Sequence, residues 1–227
     1  MNQGLTIVPP PVVGEALRRL EARGFQAWCV GGCVRDSLLG KAPFDWDIAT
    51  SALPQETKAC FAGERLVEAG AAHGTIAWVP SGGHPIEITT FRSDGAYTDG
   101  RHPDEVHFVP DVRQDLARRD FTINAMAYSA EEGLCDPFGG QEDLARGVVR
   151  AVGEPLRRFG EDALRILRLY RFAARFGFVI DEATEAAAKQ LAAHLDCVSV
   201  ERIEEELDKL PAWMVIICLL YTSDAAD

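Results

Sequence analysis

The chain has 227 residues, 47% of them hydrophobic and 26% charged, with a net charge of −12. Such a chain holds one good-sized globular domain, or one plus a small helical unit. It has no stretch near the ~20 apolar residues that cross a bilayer. It also shows no basic, apolar leader after Met1-Asn2-Gln3-Gly4, so neither a membrane span nor a secretion signal is expected, and the cytoplasm is.

Val12 to Arg23 has helical spacing, with Gly24 as its stop. Gln26 to Val30 reads as a short buried strand running into Gly31-Gly32, and Val34 to Leu39 as one or two helical turns ended by Gly40. Asp45 to Ala49 reads as a strand, and Pro54 to Phe61 as a helix with proline in its first turn. Arg65–Glu68, Thr75–Val79 and Ile86–Phe91 have the β-branched content of strands, the last two joined by a turn at Ser81-Gly82-Gly83-His84. Ser93 to Asp104 is polar and glycine-containing, a mobile loop by composition. A mixed section from Phe121 to Pro137 leads to a last strand near Val148–Val152. From about Pro155 to Leu210 the pattern is helical, with Asp181 and Ser199 as helix starts. These elements divide the chain into residues 1–153 and a helical unit, 154–210. The run from Met214 to Asp227 matches nothing before it and resembles translated adapter sequence, so 211–227 is read as foreign or disordered.

The six cysteines show no C-x-x-C spacing and most have apolar neighbours, as buried reduced thiols do. Overall acidity argues against a nucleic-acid binder. Between Leu144 and Ile180, however, eight arginines stand against three acids, a local charge of +5. For an RNA partner the local patch outweighs the total.

Chemistry concentrates in Gly31-Gly32-Cys33-Val34-Arg35-Asp36 and Asp45-Trp46-Asp47. A glycine pair lets backbone approach a phosphate, and an arginine adds a fixed cationic fork. On a strand Asp45 and Asp47 share a face. Two such carboxylates can bridge a pair of Mg²⁺ ions, which prefer oxygen and keep positions open for substrate phosphates. Glu87, between Ile86 and Ile88, is either a solvent-face residue or a third carboxylate of the metal site.

The run Val30 to Gly40 with Asp45-Trp46-Asp47-Ile48-Ala49-Thr50 resembles the first motif of bacterial CCA-adding tRNA nucleotidyltransferases and their poly(A) polymerase relatives. Four more motifs follow in the family's order: Arg118 to Ala125, Asp136 to Gly140, Arg158 to Arg165, and Glu201 to Leu207. The resemblance runs from about Gln26 to Leu210. It implies an α+β fold: a nucleotidyltransferase head with a small mixed or antiparallel sheet and flanking helices, followed by an all-helical neck. It implies metal carboxylates at Asp45 and Asp47, with Glu87 as a further catalytic candidate. Gly32, Arg35 and Arg119 would bind nucleotide, and Asp120 would accept a hydrogen bond from the ribose 2′-OH. Each has a plainer reading: Arg35 as an ion pair with Asp36 or Glu21, and Arg118-Arg119-Asp120 as a solvated charge run.

Asp162 and Arg165, three apart on a predicted helix, would lie on one face. A carboxylate accepts from the exocyclic amine that cytosine and adenine share, and a guanidinium donates to their ring nitrogen. Such a pair accepts C or A and rejects G or U without a template; its plainer reading is a salt bridge. Arg168 and Arg171 extend the stripe toward phosphates or the primer end. His73 is read as structural. The reaction implied is addition of C and A from CTP and ATP to a tRNA 3′ end by two-metal, in-line transfer. Rival readings are a poly(A) polymerase or A-adding enzyme, and a non-catalytic nucleotide-binding fragment lacking the tRNA-binding body.

Overall fold

A computed structural model describes residues 7–95 and 105–210. The expected mobile loop falls mostly on 96–104, and the expected foreign tail wholly on 211–227; both stretches lie outside the described residues. The chain forms two compact units, the first comprising Met1–Asp94, Val106–Arg119 and Asn124–Gln141, the second Gly95–Glu105, Asp120–Ile123 and Glu142–Asp227.

In the first unit, helix α1 (Pro11–Glu21) starts on a proline whose missing N–H costs nothing there, and it buries Val13, Ala16, Leu17 and Leu20. Strand β1 (Ala27–Val30) is buried throughout. There follow α2 (Gly32–Leu38), β2 (Asp47–Thr50), α3 (Pro54–Cys60), β3 (Arg65–Val67), β4 (Thr75–Val79) and β5 (Ile86–Thr90). Next come β6 (Arg92–Asp94), β7 (Val106–Phe108), α4 (Val112–Ala117), β8 (Ala127–Ser129) and β9 (Gly133–Cys135). The main sheet has the order β3-β4-β5-β2-β1-β8-β9. All its pairs are antiparallel except β2 with β5. Alternation works on β4 and β5: Ile76, Trp78, Ile86 and Ile88 are buried, while Glu87 points to solvent. Helices α1 and α3 pack on this sheet, and Phe61 meets Trp78 with ring centroids 5.0 Å apart.

Two expectations differ. Strand β2 begins at Asp47, not Asp45. Its partner β1 ends at Val30, paired with Asp47, because Gly31 turns the chain into α2; Asp45 and Trp46 have no ladder to join. Ser93 and Asp94, assigned to a loop, belong to β6, which pairs with β7. Helices α4 and α5 (Gly140–Arg146) fall in stretches for which the sequence patterns name no element.

In the second unit, β10 (Val148–Val149) pairs in parallel with β11 (Val179–Ile180). Its helices are α6 (Pro155–Glu161), α7 (Leu164–Phe176), α8 (Glu182–Gln190) and α9 (Val200–Leu207). Asp181 caps α8 by accepting from the Thr184 amide. Phe121 packs edge-on against Phe172 of α7 at 5.8 Å, anchoring the core beside Phe159, Ile166 and Leu169.

Candidate active site

The glycine turn sits between β1 and α2. Gly31 has φ 72° and ψ −123°, a mirror-β conformation open to glycine alone. A Cβ built there would lie 2.7 Å from Nη1 of Arg119, so the missing side chain makes room for a guanidinium. Arg119 donates to Asp115 at 3.2 Å. Its enclosed Nε has no hydrogen-bond partner among the described residues.

Arg35 departs from the expected open fork. It is 5% exposed and donates to Asp36 at 2.8 Å and to the Asn124 side chain at 2.5 Å. The pairing with Asp36 anticipated as its plainer reading is present. Asn124 was not singled out, although it lies in the Arg118–Ala125 motif.

Asp47 closes the β1–β2 ladder. The parallel register that sets Ile48 beside Ile88 brings Glu87 to the level of Asp47. Burial by surrounding chain, then the charges of Glu87 and Asp45, push the Asp47 carboxyl up to about 6, against the pull of Arg119. Its side chain still meets solvent. The structure therefore brings Asp45, Asp47 and Glu87 into one electrostatic neighbourhood, with Arg119 facing it. Among the described residues no group of three or more His, Cys, Asp or Glu side chains is arranged to hold a metal ion by itself. An open set of oxygen donors fits a hard cation that keeps water and phosphate positions free, better than one sealed by protein.

The chain matches the family model described as the poly A polymerase head domain over residues 27–150, more than half its length. The chain belongs to the poly A polymerase head-domain family. Residues 177–210 match a second model, described as a probable RNA and SrmB-binding site of polymerase A. A CCA-adding enzyme of Leuconostoc citreum is 50% identical over 194 residues, covering 86% of this chain and 47% of that protein. The crystal structure of the Bacillus stearothermophilus CCA-adding enzyme in complex with CTP is 42% identical, with a TM-score of 0.80, over 89% of this chain and 49% of that one. The Thermotoga maritima CCA-adding enzyme complexed with tRNA is 30% identical, with a TM-score of 0.77, over 95% and 52%. The chain spans about half the length of the curated relatives it matches.

The second unit of this poly A polymerase head-domain chain carries the remaining candidates. Asp120 is buried, and its Oδ2 accepts from Arg168 Nε and Nη2 at 2.8 and 2.6 Å. Arg171 is buried against Glu206 and lies 4.1 Å from the Phe172 ring centroid. Burial lowers the Arg171 pKa; for Glu206 burial is overcome by Arg168 and Arg171, which hold its carboxyl below the usual range.

The helix-face geometry proposed for Asp162 and Arg165 does not hold. Asp162 is extended, at φ −152°, between α6 and α7. Its Oδ1 accepts from the Leu164 amide at 3.1 Å, and its Oδ2 from Arg202 at 2.8 Å. Arg165 instead donates to Glu161 at 2.7 Å. Short aspartate side chains favour such local backbone bonds over a helix interior, and the first turn of α7 gains an acceptor.

The arginine-rich stripe is also less cationic than its local count. Arg150 pairs with Asp143 and Asp181, Arg158 with Glu161, and Arg168 with Asp120. Most of these acids lie outside the window that gave +5. His73 is exposed, and its carbonyl accepts from Arg92, a structural contact.

Proposed function

We propose that this chain is the nucleotidyltransferase half of a template-independent enzyme that adds C and A from CTP and ATP to the tRNA 3′ end. The observation that carries the reading is its likeness to the B. stearothermophilus enzyme bound to CTP, at 42% identity and a TM-score of 0.80. In this reading residues 1–153 are the catalytic head and 154–210 the start of a helical neck. The compartment is the cytoplasm, where buried free thiols such as Cys29, Cys33 and Cys60 stay reduced.

Asp45 and Asp47, with Glu87, would hold divalent metal, and oxygen-only donors would favour Mg²⁺. The chemistry such ions supply when bound is activation of the attacking 3′-OH and neutralisation of charge on the phosphates. The protein's own part is positioning. Gly32 offers backbone N–H to the triphosphate, Arg35 braces the turn from behind through Asn124, and Arg119 presents a guanidinium to phosphate. Asp120 is assigned the ribose 2′-OH and Arg168 fixes its carboxylate. Asp162 and Arg165 are assigned the base, each pre-set by its ion pair with Arg202 or Glu161 rather than by a shared helix face. Arg171, tied to Glu206, supports α7.

Incubating the protein with tRNA lacking its terminal nucleotides, and CTP and ATP separately and together, tests the reading. C then A incorporation is expected; A alone points to an A-adding enzyme, and long A tracts to a poly(A) polymerase. A second reading is favoured by the half-length coverage of its relatives: a chain that binds nucleotide but grips tRNA too weakly to extend it. Nucleotide binding without incorporation in the same assay selects that reading.

A further inference from the structure

A buried carboxylate that no motif singles out lies behind the glycine turn. Asp115, in α4, is 1% exposed. Its Oδ1 accepts from Arg118 Nε and Nη2 at 3.0 and 2.8 Å, and from the Arg92 amide at 3.4 Å. Its Oδ2 accepts from Arg119 Nη2 at 3.2 Å. One negative charge therefore faces two guanidinium groups. Burial alone would favour the neutral acid, but the two arginines hold the carboxyl below its usual range.

The two arginines are not equivalent. Arg118 takes two of the Asp115 contacts and is also 3.6 Å from Asp94 of β6. Arg119 has a single-point bond to the shared carboxylate, an enclosed Nε with no hydrogen-bond partner among the described residues, and an Nη1 set against Gly31. Buried donors are normally satisfied. The enclosed Nε is beyond an anion's reach, but the Arg119 side chain is 21% exposed, so a guanidinium held by one oxygen, with its charge half-matched, has capacity for another anion at its open side. A carboxylate engaging both nitrogens of its fork would take that capacity away.

We infer that Asp115 is a positioning residue that holds Arg119 against the Gly31 turn, its charge only partly matched, to grip the phosphate chain of a nucleoside triphosphate. The inference rests on the nucleotide-binding reading above. Asp115 itself touches no phosphate; it acts through Arg119. Its bond to the Arg92 amide fixes the same carboxylate to the start of β6, so the orientation of Arg119 is set by the sheet as well as by its own helix.

The test is a double-mutant cycle with Asp115→Asn and Arg119→Ala, reading dissociation constants for CTP and CMP by calorimetry, with thermal unfolding alongside. Asp115→Asn is expected to weaken CTP about tenfold and CMP less than about twofold, with no further loss in the Arg119→Ala background. Asp115→Glu keeps the charge but moves the carboxylate by one methylene, and carries the test if the asparagine variant does not fold; it is expected to lose CTP affinity several-fold in the same pattern. Equal losses for CTP and CMP, or losses that add fully to those of Arg119→Ala, overturn the inference and leave a structural role only. Failure of the unaltered protein to bind CTP at all overturns the nucleotide reading itself, and the inference with it.

Discussion

Replacing Gly31 by alanine strains the backbone and displaces Arg119 together, and Gly40, a positive-φ glycine with no close neighbour, gives the comparison. Both glycines have positive φ, 72° and 69°. A Cβ at Gly40 meets nothing within 4 Å, whereas one at Gly31 lies 2.7 Å from Arg119 Nη1. Positive φ of the left-handed kind costs an L-residue about 1–2 kcal/mol, which is what Gly40→Ala should lose; the ψ of −123° at Gly31 lies outside that region and raises the backbone cost there to about 1–3 kcal/mol. Gly31→Ala adds displacement of Arg119. Moving the flexible guanidinium is sterically cheap, but it breaks the 3.2 Å bond to Asp115, and hydrogen bonds to charged groups are worth about 1.5–3 kcal/mol. The expected total is about 2.5–6 kcal/mol. Urea unfolding of both variants measures the difference, and CTP affinity should fall in Gly31→Ala alone. Equal destabilisation of the two variants, with CTP binding intact in both, would refute the reasoning.

Glu206→Gln leaves the Arg171 guanidinium buried without its anion, and should cost about 3–5 kcal/mol in urea unfolding. Asp115 and Glu206 both have folded carboxyls held below the usual range, because their arginines outweigh burial. Their stabilisation is thus fully present above the unfolded values of about 4 and is lost as pH falls through the folded ones. The urea midpoint should drop below pH ~4, less steeply in Glu206→Gln. In metal-free protein, carbon-13 titration should find Asp47 near 6, moving down in Glu87→Gln; an unmoved value would show that Glu87 does not crowd it. Among the described cysteines, Cys197 is exposed whereas Cys29, Cys33 and Cys60 are buried, so brief alkylation followed by mass mapping should label Cys197 well before those three.

The strands were readable where β-branched runs alternate, as in β4 and β5, and the glycine turn was readable from its composition. The start of strand β2 at Asp47 is not legible in its own residues, because it depends on where β1 runs out, a property of the partner. Asp162 looked helical because its neighbours are; only its bonds to the Leu164 amide and Arg202 show it as a cap. The arginine stripe looked cationic because the acids that match it, Asp120 and Glu206, lie 48 and 35 residues from Arg168 and Arg171. Asp115 had a legible signal, an acid three and four residues before two arginines, but that spacing is shared by any solvated charge run. What sets it apart is burial, which the sequence does not state.

The most direct test of the central claim is transfer itself. Purified protein, Mg²⁺, tRNA lacking its terminal nucleotides and α-labelled nucleotides are combined, with Asp47→Ala in parallel. The account predicts incorporation from CTP and then ATP, none from GTP or UTP, and none in the variant. Incorporation that ignores the identity of the nucleotide, or that survives Asp47→Ala, would contradict it.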